Sequence, residues 1–296
     1  MTSSGILRNC CPRSSTTWPK GRDTMSHSPA EVTAVVPARN AEYLLPRCLE
    51  ALRQSGVAEI IVVDGLSTDR TVDLALAAGA RVLSDEGRGL PWARTLGVRS
   101  SSTRWVLLVD ADVVFSPTGV ADLLTELVEG GYDALQAGLE SVSGPGYWGQ
   151  ALAHHHRTGR SRNWFGLVAT VVDRDLMLGM GFDDSFKSGE DIELRWRMRE
   201  SGLRTGVSRR VVVEHRFAAD DFDFALDQFL MDGTGLGRMI RKHGWRGARL
   251  ALLPAAAAVR GSALSLAAGQ PRWLRYYVAF CWYNYAAMAR GLRHER

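Results

Sequence analysis

The chain alternates short, β-branched apolar runs with stretches in which apolar residues recur every three or four positions. Val32-Thr33-Ala34-Val35-Val36-Pro37 predicts a buried strand, closed by a Pro-Ala-Arg-Asn loop. Leu44, Leu45, Cys48, Leu49 and Leu52 then share one helical face, and Pro46 is tolerated in the first turn. Residues 59–64 predict a second buried strand with Asp64 at its end. Ser67-Thr68-Asp69 predicts the cap of a helix through Val72, Leu74, Ala75 and Ala78. A short strand over 80–83 and a helix opened by residues 87–94 follow. The next run, 104–113, is long enough for a strand buried on both faces and ends in Asp110-Ala111-Asp112.

Four successive β-α units predict a parallel sheet covered on both faces, with ligands bound beyond the carboxyl ends of its strands. Asp64 and the Asp110/Asp112 pair both fall at that edge. Beyond them the pattern predicts a helix over 117–129, a strand over 133–138 and a turn at Gly144-Pro145-Gly146. A helix containing His154-His155-His156, a strand over 165–172, a helix opened by Gly189-Glu190-Asp191 and a strand over 207–214 complete this part.

At 296 residues the chain can bury a full core, and its 46% hydrophobic and 23% charged residues are those of a globular protein. The net charge of +4 is uneven: residues 245–296 hold eight Arg against Glu295, a local +7, which leaves −3 for the rest. The basic balance therefore belongs to the tail, and no nucleic-acid partner is expected. Cys10, Cys11, Cys48 and Cys281 have no metal-ligand spacing or disulfide framework, which points to a reducing cytoplasm. Residues 1–31 are rich in Ser, Thr, Arg and Pro, lack the apolar core of a signal peptide and read as a disordered leader; translation from Met25 is the simplest account of them.

Two carboxylates one residue apart need a partner for their charge, and a divalent cation is the usual one, although acids at strand ends also cap turns. Adjacent histidines point to different faces of a helix, so His154, His155 and His156 cannot share one metal. Acids in a first turn suit the helix dipole, but a carboxylate fixed at a rigid helix start can also act as a general base. His215 follows a buried run and, taken alone, reads as a satisfied core histidine.

Together, Val-Val-Pro-Ala-Arg-Asn (35–40), Val-Val-Asp-Gly-Leu-Ser-Thr-Asp (62–69), Val-Asp-Ala-Asp (109–112) and Gly-Glu-Asp (189–191) resemble the inverting glycosyltransferases of family 2, in the family's order. Residues 88–97 resemble the segment that precedes the metal-binding strand, and 228–238 the glutamine-to-glycine-arginine helix. The resemblance covers about 32–243. It implies the GT-A fold of nucleotide-diphospho-sugar transferases, a Rossmann-like, mostly parallel sheet flanked by helices, with a C-terminal helical extension. It implies a UDP- or GDP-sugar donor, a hydroxyl acceptor, and Mg2+ or Mn2+. Asp191 would be the catalytic base. Pro37, Arg39, Asn40, Asp64, Arg94, Asp110, Glu190 and Arg238 would contact the donor. Asp112, Asp110 and His215 would hold the metal. Gly65 departs from the Asp-Asp common at that point, which leaves base selectivity open.

Residues 248–268 are rich in Ala and Leu but carry Pro254 and Arg260, and neither they nor the aromatic stretch 273–289 supplies the ~20 uninterrupted apolar residues of a membrane span. Aromatics flanked by Arg suit a helix in the interface of an anionic membrane; a helical pair packed on the domain is the plainer reading. Residues 1–31, 32–243 and 244–296 are thus expected as leader, catalytic domain and amphipathic tail, in a cytoplasmic protein peripheral on the inner membrane face. A nucleotidyltransferase should show a Gly-rich phosphate loop after the first strand, which Val-Pro-Ala-Arg-Asn lacks. A catalytically inactive, membrane-associated scaffold is disfavoured by the retention of Asp64, Asp110, Asp112 and Asp191.

Overall fold

The computed structural model describes residues 28–158 and 165–293. Cys10, Cys11, Met25 and nearly all of the expected leader lie outside the described residues. β1 (Val32–Ala38), β2 (Glu59–Asp64), β3 (Arg81–Ser84) and β4 (Trp105–Val109) form the parallel half of the sheet. The connecting helices are α1 (Leu45–Gln54), α2 (Thr71–Ala77) and α3 (Leu90–Ser100). β1, β2 and β4 are covered on both faces, which is why their sequences run apolar without alternation. α2 starts later than its expected cap. Asp69 Oδ1 instead accepts from the Thr71 N–H and hydroxyl, and its Oδ2 from the Glu42 N–H, tying two loops together.

The second half departs from a parallel plan. After α4 (Gly119–Gly130) come β6 (Ala134–Val142), α5 (Tyr147–Thr158), β7 (Ala169–Asp173), α6 (Arg174–Met180), α7 (Glu190–Glu200) and β8 (Thr205–Arg216). The eight strands lie in the order β3-β2-β1-β4-β7-β6-β8-β5, where β5 is Val113–Val114. β7 runs antiparallel to both β4 and β6, and β5 antiparallel to β8, so the sheet is mixed. The apolar run 104–113 is therefore two strands. At Asp110 the chain turns, closed by the Val113 N–H on the Asp110 carbonyl at 3.2 Å, and β5 leaves the line of β4 to meet β8. The run 165–172 forms a strand only from Ala169; Phe165 and Leu167 bury their side chains in the core ahead of it.

α8 (Phe222–His243) leads through two short 3-10 segments, Gly244–Arg246 and Ala248–Leu252, into α9 (Leu253–Ala267) and α10 (Leu274–Leu292). Pro254 does not interrupt the helix, because it sits in the first turn of α9, where no N–H is needed. Residues Ala248–Ala267 are in fact long and apolar enough to cross a membrane by length and composition. α10 docks on α8 backbone to backbone. A Cβ on Gly233 would lie 2.3 Å from the Asn284 carbonyl, and one on Gly237 2.4 Å from that of Met288. The opposite stripe of α10, Val278, Trp282, Tyr285 and Leu292, faces outward.

Candidate active site

The carboxyl edge of the parallel strands gathers most of the residues singled out from sequence. α3 fixes the first of them. A Cβ on Gly97 would overlap Val35, so α3 lies tight on β1, and Arg94 one turn earlier reaches over the edge of the sheet. Ahead of it, the buried Asp85 accepts from the N–H groups of Gly87 and Gly89 and shapes the turn into α3. Sequence reading passed over Asp85, although the Asp-x-Gly-x-Gly spacing is a signal for a side chain holding a glycine turn.

Arg94 is 4% exposed and bridges two acids from distant segments: Nη1 donates to Glu190 Oε1 at 2.5 Å, and Nη2 to Asp110 Oδ1 at 3.0 Å. Two carboxylates of the protein itself thus hold this guanidinium in place. Glu190 and Asp191 open α7. Gly189 before them has φ +78°, and a Cβ on it would lie 2.8 Å from Gly235 Cα of α8. Both constraints demand glycine, and together they hold the acids firmly at the helix start. Asp191 faces Gly166, whose N–H is held by the Gln136 side chain at 2.9 Å. Gln136, buried in β6, is a second supporting residue that the strand pattern did not reveal.

The turn between β4 and β5 places Asp112 beside β8. Asp112 Oδ2 lies 3.3 Å from His215 Nε2, and the Arg216 N–H donates to the Asp112 carbonyl. Asp112 Oδ1 is buried and accepts no hydrogen bond in the structure. His215 packs parallel to His156, 6.4 Å between ring centres, with the edge of Phe217 against both. His156 in turn shares Nδ1 with Ser141 Oγ at 2.9 Å. The three consecutive histidines do diverge: His154 reaches Ser265, and His155 is enclosed by Tyr276, Tyr277 and Phe280.

The electrostatics follow from this crowding. Burial, Glu190 beside it and only partial relief from the Ile192 N–H and Arg94 push Asp191 up to about 6. Burial likewise raises Asp110 to about 6, with Asp112 adding to the rise and Arg94 and His215 opposing it. For His215, burial disfavours the proton, but the hydrogen bond and charge of Asp112, then Asp110, outweigh it and raise the pKa.

Asp64 closes the edge. It is 8% exposed, and its carboxylate accepts from the Ser67 N–H at 3.2 Å. Asn40, at φ +49°, accepts from the Thr68 N–H through its side-chain oxygen and donates its own N–H to Ser67 Oγ, so the loops after β1 and β2 form one unit. Pro37 pairs with Val63 in the β1–β2 ladder, and Arg39 covers Gly65, where a Cβ would lie 3.3 Å from the arginine Cβ. Arg238 stands apart, on α8, reaching Ser188 Oγ at 3.3 Å ahead of α7.

The residues fit a divalent cation of the kind that keeps few protein ligands. Among the described residues no three His, Cys, Asp or Glu side chains cluster as a complete cage. The buried, unsatisfied Asp112 Oδ1 and the neighbouring His215 are instead the one- or two-residue donor set that Mg2+ or Mn2+ uses when phosphates and water complete its shell.

Residues 33–182 match the sequence profile described as Glycosyl transferase family 2. An uncharacterised glycosyltransferase of Mycobacterium bovis is 30% identical over 180 residues, 58% of this chain and 81% of that protein. The chain spans 21%, 35% and 42% of the length of the first three curated relatives it matches. Among solved structures, the mannosyltransferase PcManGT from Pyrobaculum calidifontis, in complex with GDP-Man and Mn2+, has a TM-score of 0.63 at 18% identity, over 91% of this chain and 90% of that one. S. aureus TarS 1-349, in complex with UDP, has a TM-score of 0.53 at 18% identity, over 90% and 93% of the two chains. At these identities the likeness is one of fold.

Proposed function

Because the chain belongs to glycosyl transferase family 2, we propose that it transfers a sugar from a UDP- or GDP-sugar to an acceptor hydroxyl, with inversion at the anomeric carbon. The observation that carries this reading is the joining of two acid pairs through one buried arginine: Asp110 and Asp112 on the donor side, Glu190 and Asp191 on the acceptor side. Asp64 takes the nucleoside, in a loop pair stiffened by Asn40 and bordered by Pro37 and Arg39. Asp191 removes the acceptor's hydroxyl proton as that oxygen attacks the sugar. Asp112 and His215, with Asp110 adjacent, would hold Mg2+ or Mn2+, which when bound neutralises charge on the leaving diphosphate. Arg238 adds a positive charge near the same helix start. The GDP-Man, Mn2+ and UDP bound by the two fold neighbours support this donor class.

A panel of UDP- and GDP-sugars, assayed with Mn2+ and with EDTA, tests the reading. Turnover of at least one donor is expected, falling by roughly two orders of magnitude or more on chelation. Metal-independent turnover would remove the role given to Asp110 and Asp112. The pH profile provides a second check. A base must be unprotonated, and burial holds the Asp191 proton up to about 6. The rate should therefore climb as pH rises through about 6 and then level off; a flat profile between pH 5 and 7.5 excludes Asp191 as the titrating base.

The outward stripe of α10 and the arginines of the tail support a further part of this proposal, docking on an anionic membrane at the cytoplasmic face. Val278 and Trp282 are each 72% exposed, and Val259 on α9 is 71% exposed. Arg249, Arg260, Arg275, Arg290 and Arg293 accompany them with no acid between 245 and 293. Since the inner face of α10 supports α8, point substitution is a cleaner test than truncation. V278E/W282E should weaken binding to phosphatidylserine vesicles at least about tenfold while its melting temperature stays near wild type. Unchanged sedimentation with vesicles would refute the docking surface.

A further inference from the structure

Beside the His215 strand lies a cleft of about 580 Å³ that none of the roles above uses. Its walls come from the end of β6 and the loop that follows, including Ser141 and Ser143, from Gln150 and Arg157 on α5, and from Arg272 and Trp273 at the α9–α10 turn. The β6 end lies at the same sheet edge as the acids: β6 is parallel to β8, and Ser141 stands opposite His215 in their register. Ser141 also contacts His156, the ring stacked on His215. The cleft and the donor-side centre thus share a wall.

Its charge is arranged for an anion. Arg157 and Arg272 make no ion pair with any of the described residues, in contrast to Arg94 and Arg197, which are held by carboxylates. Arg157 is oriented by the Ser141 carbonyl, to which Nη1 donates at 3.2 Å. The Arg272 guanidinium lies over the buried Trp273 ring, 4.1 Å from its centre, and the Tyr147 hydroxyl donates to the Arg272 carbonyl. Both groups are preorganised, which lowers the entropy lost on binding a ligand. Glu140 is the single acid in the lining, so the cleft keeps a net positive charge. Two guanidinium groups form a donor set matched to phosphate oxygens.

We propose that this cleft, on the His215 side of the centre, is an acceptor subsite for a phosphate monoester or diester, held between Arg157 and Arg272, from which the acceptor's hydroxyl reaches Asp191. Its assignment to the acceptor rests on the transferase reading; its affinity for phosphate does not. The phosphate can belong to a soluble sugar or polyol phosphate or to a lipid headgroup, and the location of Arg272 in the α9–α10 turn makes the cleft reachable from either source.

The test compares the full-length protein with R157Q/R272Q, neither residue of which touches the donor-side acids. Calorimetry measures binding of glycerol 3-phosphate and of neutral glycerol. Sedimentation measures binding to phosphatidylcholine vesicles with and without phosphatidic acid. Hydrolysis of the donor panel and melting temperature are recorded in parallel. The wild-type protein should bind glycerol 3-phosphate and not glycerol, and R157Q/R272Q should weaken that binding at least tenfold with donor hydrolysis and melting temperature unchanged. A loss confined to phosphatidic acid vesicles assigns the subsite to a lipid phosphate; a loss with the soluble ester assigns it to a free one. Equal binding of wild type and variant to both probes, or binding of neither probe, overturns the subsite. Phosphate binding without turnover of any donor overturns the transferase reading and leaves an anion site.

Discussion

Asp191→Asn is expected to lower the transfer rate by about a thousandfold while leaving nucleotide binding within a few-fold of wild type. Asparagine has the same shape and cannot take a proton, so the variant separates chemistry from architecture. The architecture is well fixed around it. Gly189 and Gly235 press the start of α7 onto α8, and Gly166 leaves the space before the carboxylate open. Arg94 retains both of its partners, Glu190 and Asp110, and the fold should not change. Initial rates with the donor found in the screen, beside calorimetry with the nucleotide diphosphate, check the result. Transfer above a tenth of the wild-type rate would mean that another group accepts the proton.

Arg94→Met should produce the largest loss of stability of any single change at the site, about 3–5 kcal/mol by chemical denaturation at pH 7. Met fills a similar volume without charge, so the buried Glu190 and the partly buried Asp110 lose the one guanidinium that they now share. The loss should depend on pH with a definite sign. Asp110 is already raised to about 6 by burial, and Arg94, ahead of His215, is the group that most opposes the rise. Without the arginine, the native state binds its proton more tightly than the unfolded chain does, and over a wider range above the ordinary carboxylate pKa. Stability then falls as pH rises through that range, so the deficit of the variant is greatest near neutrality and shrinks toward pH 5. A deficit below about 1 kcal/mol, or one that grows in acid, would show that the three groups are not coupled as the geometry requires.

Much of the donor half was legible in the sequence, because a strand buried on both faces must be continuously apolar and must end in something polar. That logic found β1, β2 and β4 and placed Asp64 and Asp110 at one edge. It could not find strand order. The apolar composition of 165–172 announces burial, but nothing in it says that β7 inserts antiparallel between β4 and β6. It also read 104–113 as one strand, since Val113 and Val114 are as apolar as the residues of β4; the turn at Asp110 depends on β5 finding β8. Arg94 shows the same limit from the side of chemistry. Its motif pointed to the site, but the contact that defines it spans 96 residues and is invisible to local spacing. The tail was legible as amphipathic, and the structure shows one face of α10 packed on α8 and the other exposed.

The glycines of α8 have one more effect. Gly233 and Gly237 admit α10 on one side, and Gly235 admits the start of α7 on the other. These three residues carry no side chain, so α10 and the residue that opens α7 each meet the backbone of α8 directly. If α10 rests on a bilayer, the height of the Asp191 carboxylate above the headgroups is then set by rigid backbone contact and not by a flexible hinge. Docked in that way, the enzyme would work at one fixed elevation and reach only acceptors that project far enough from the surface.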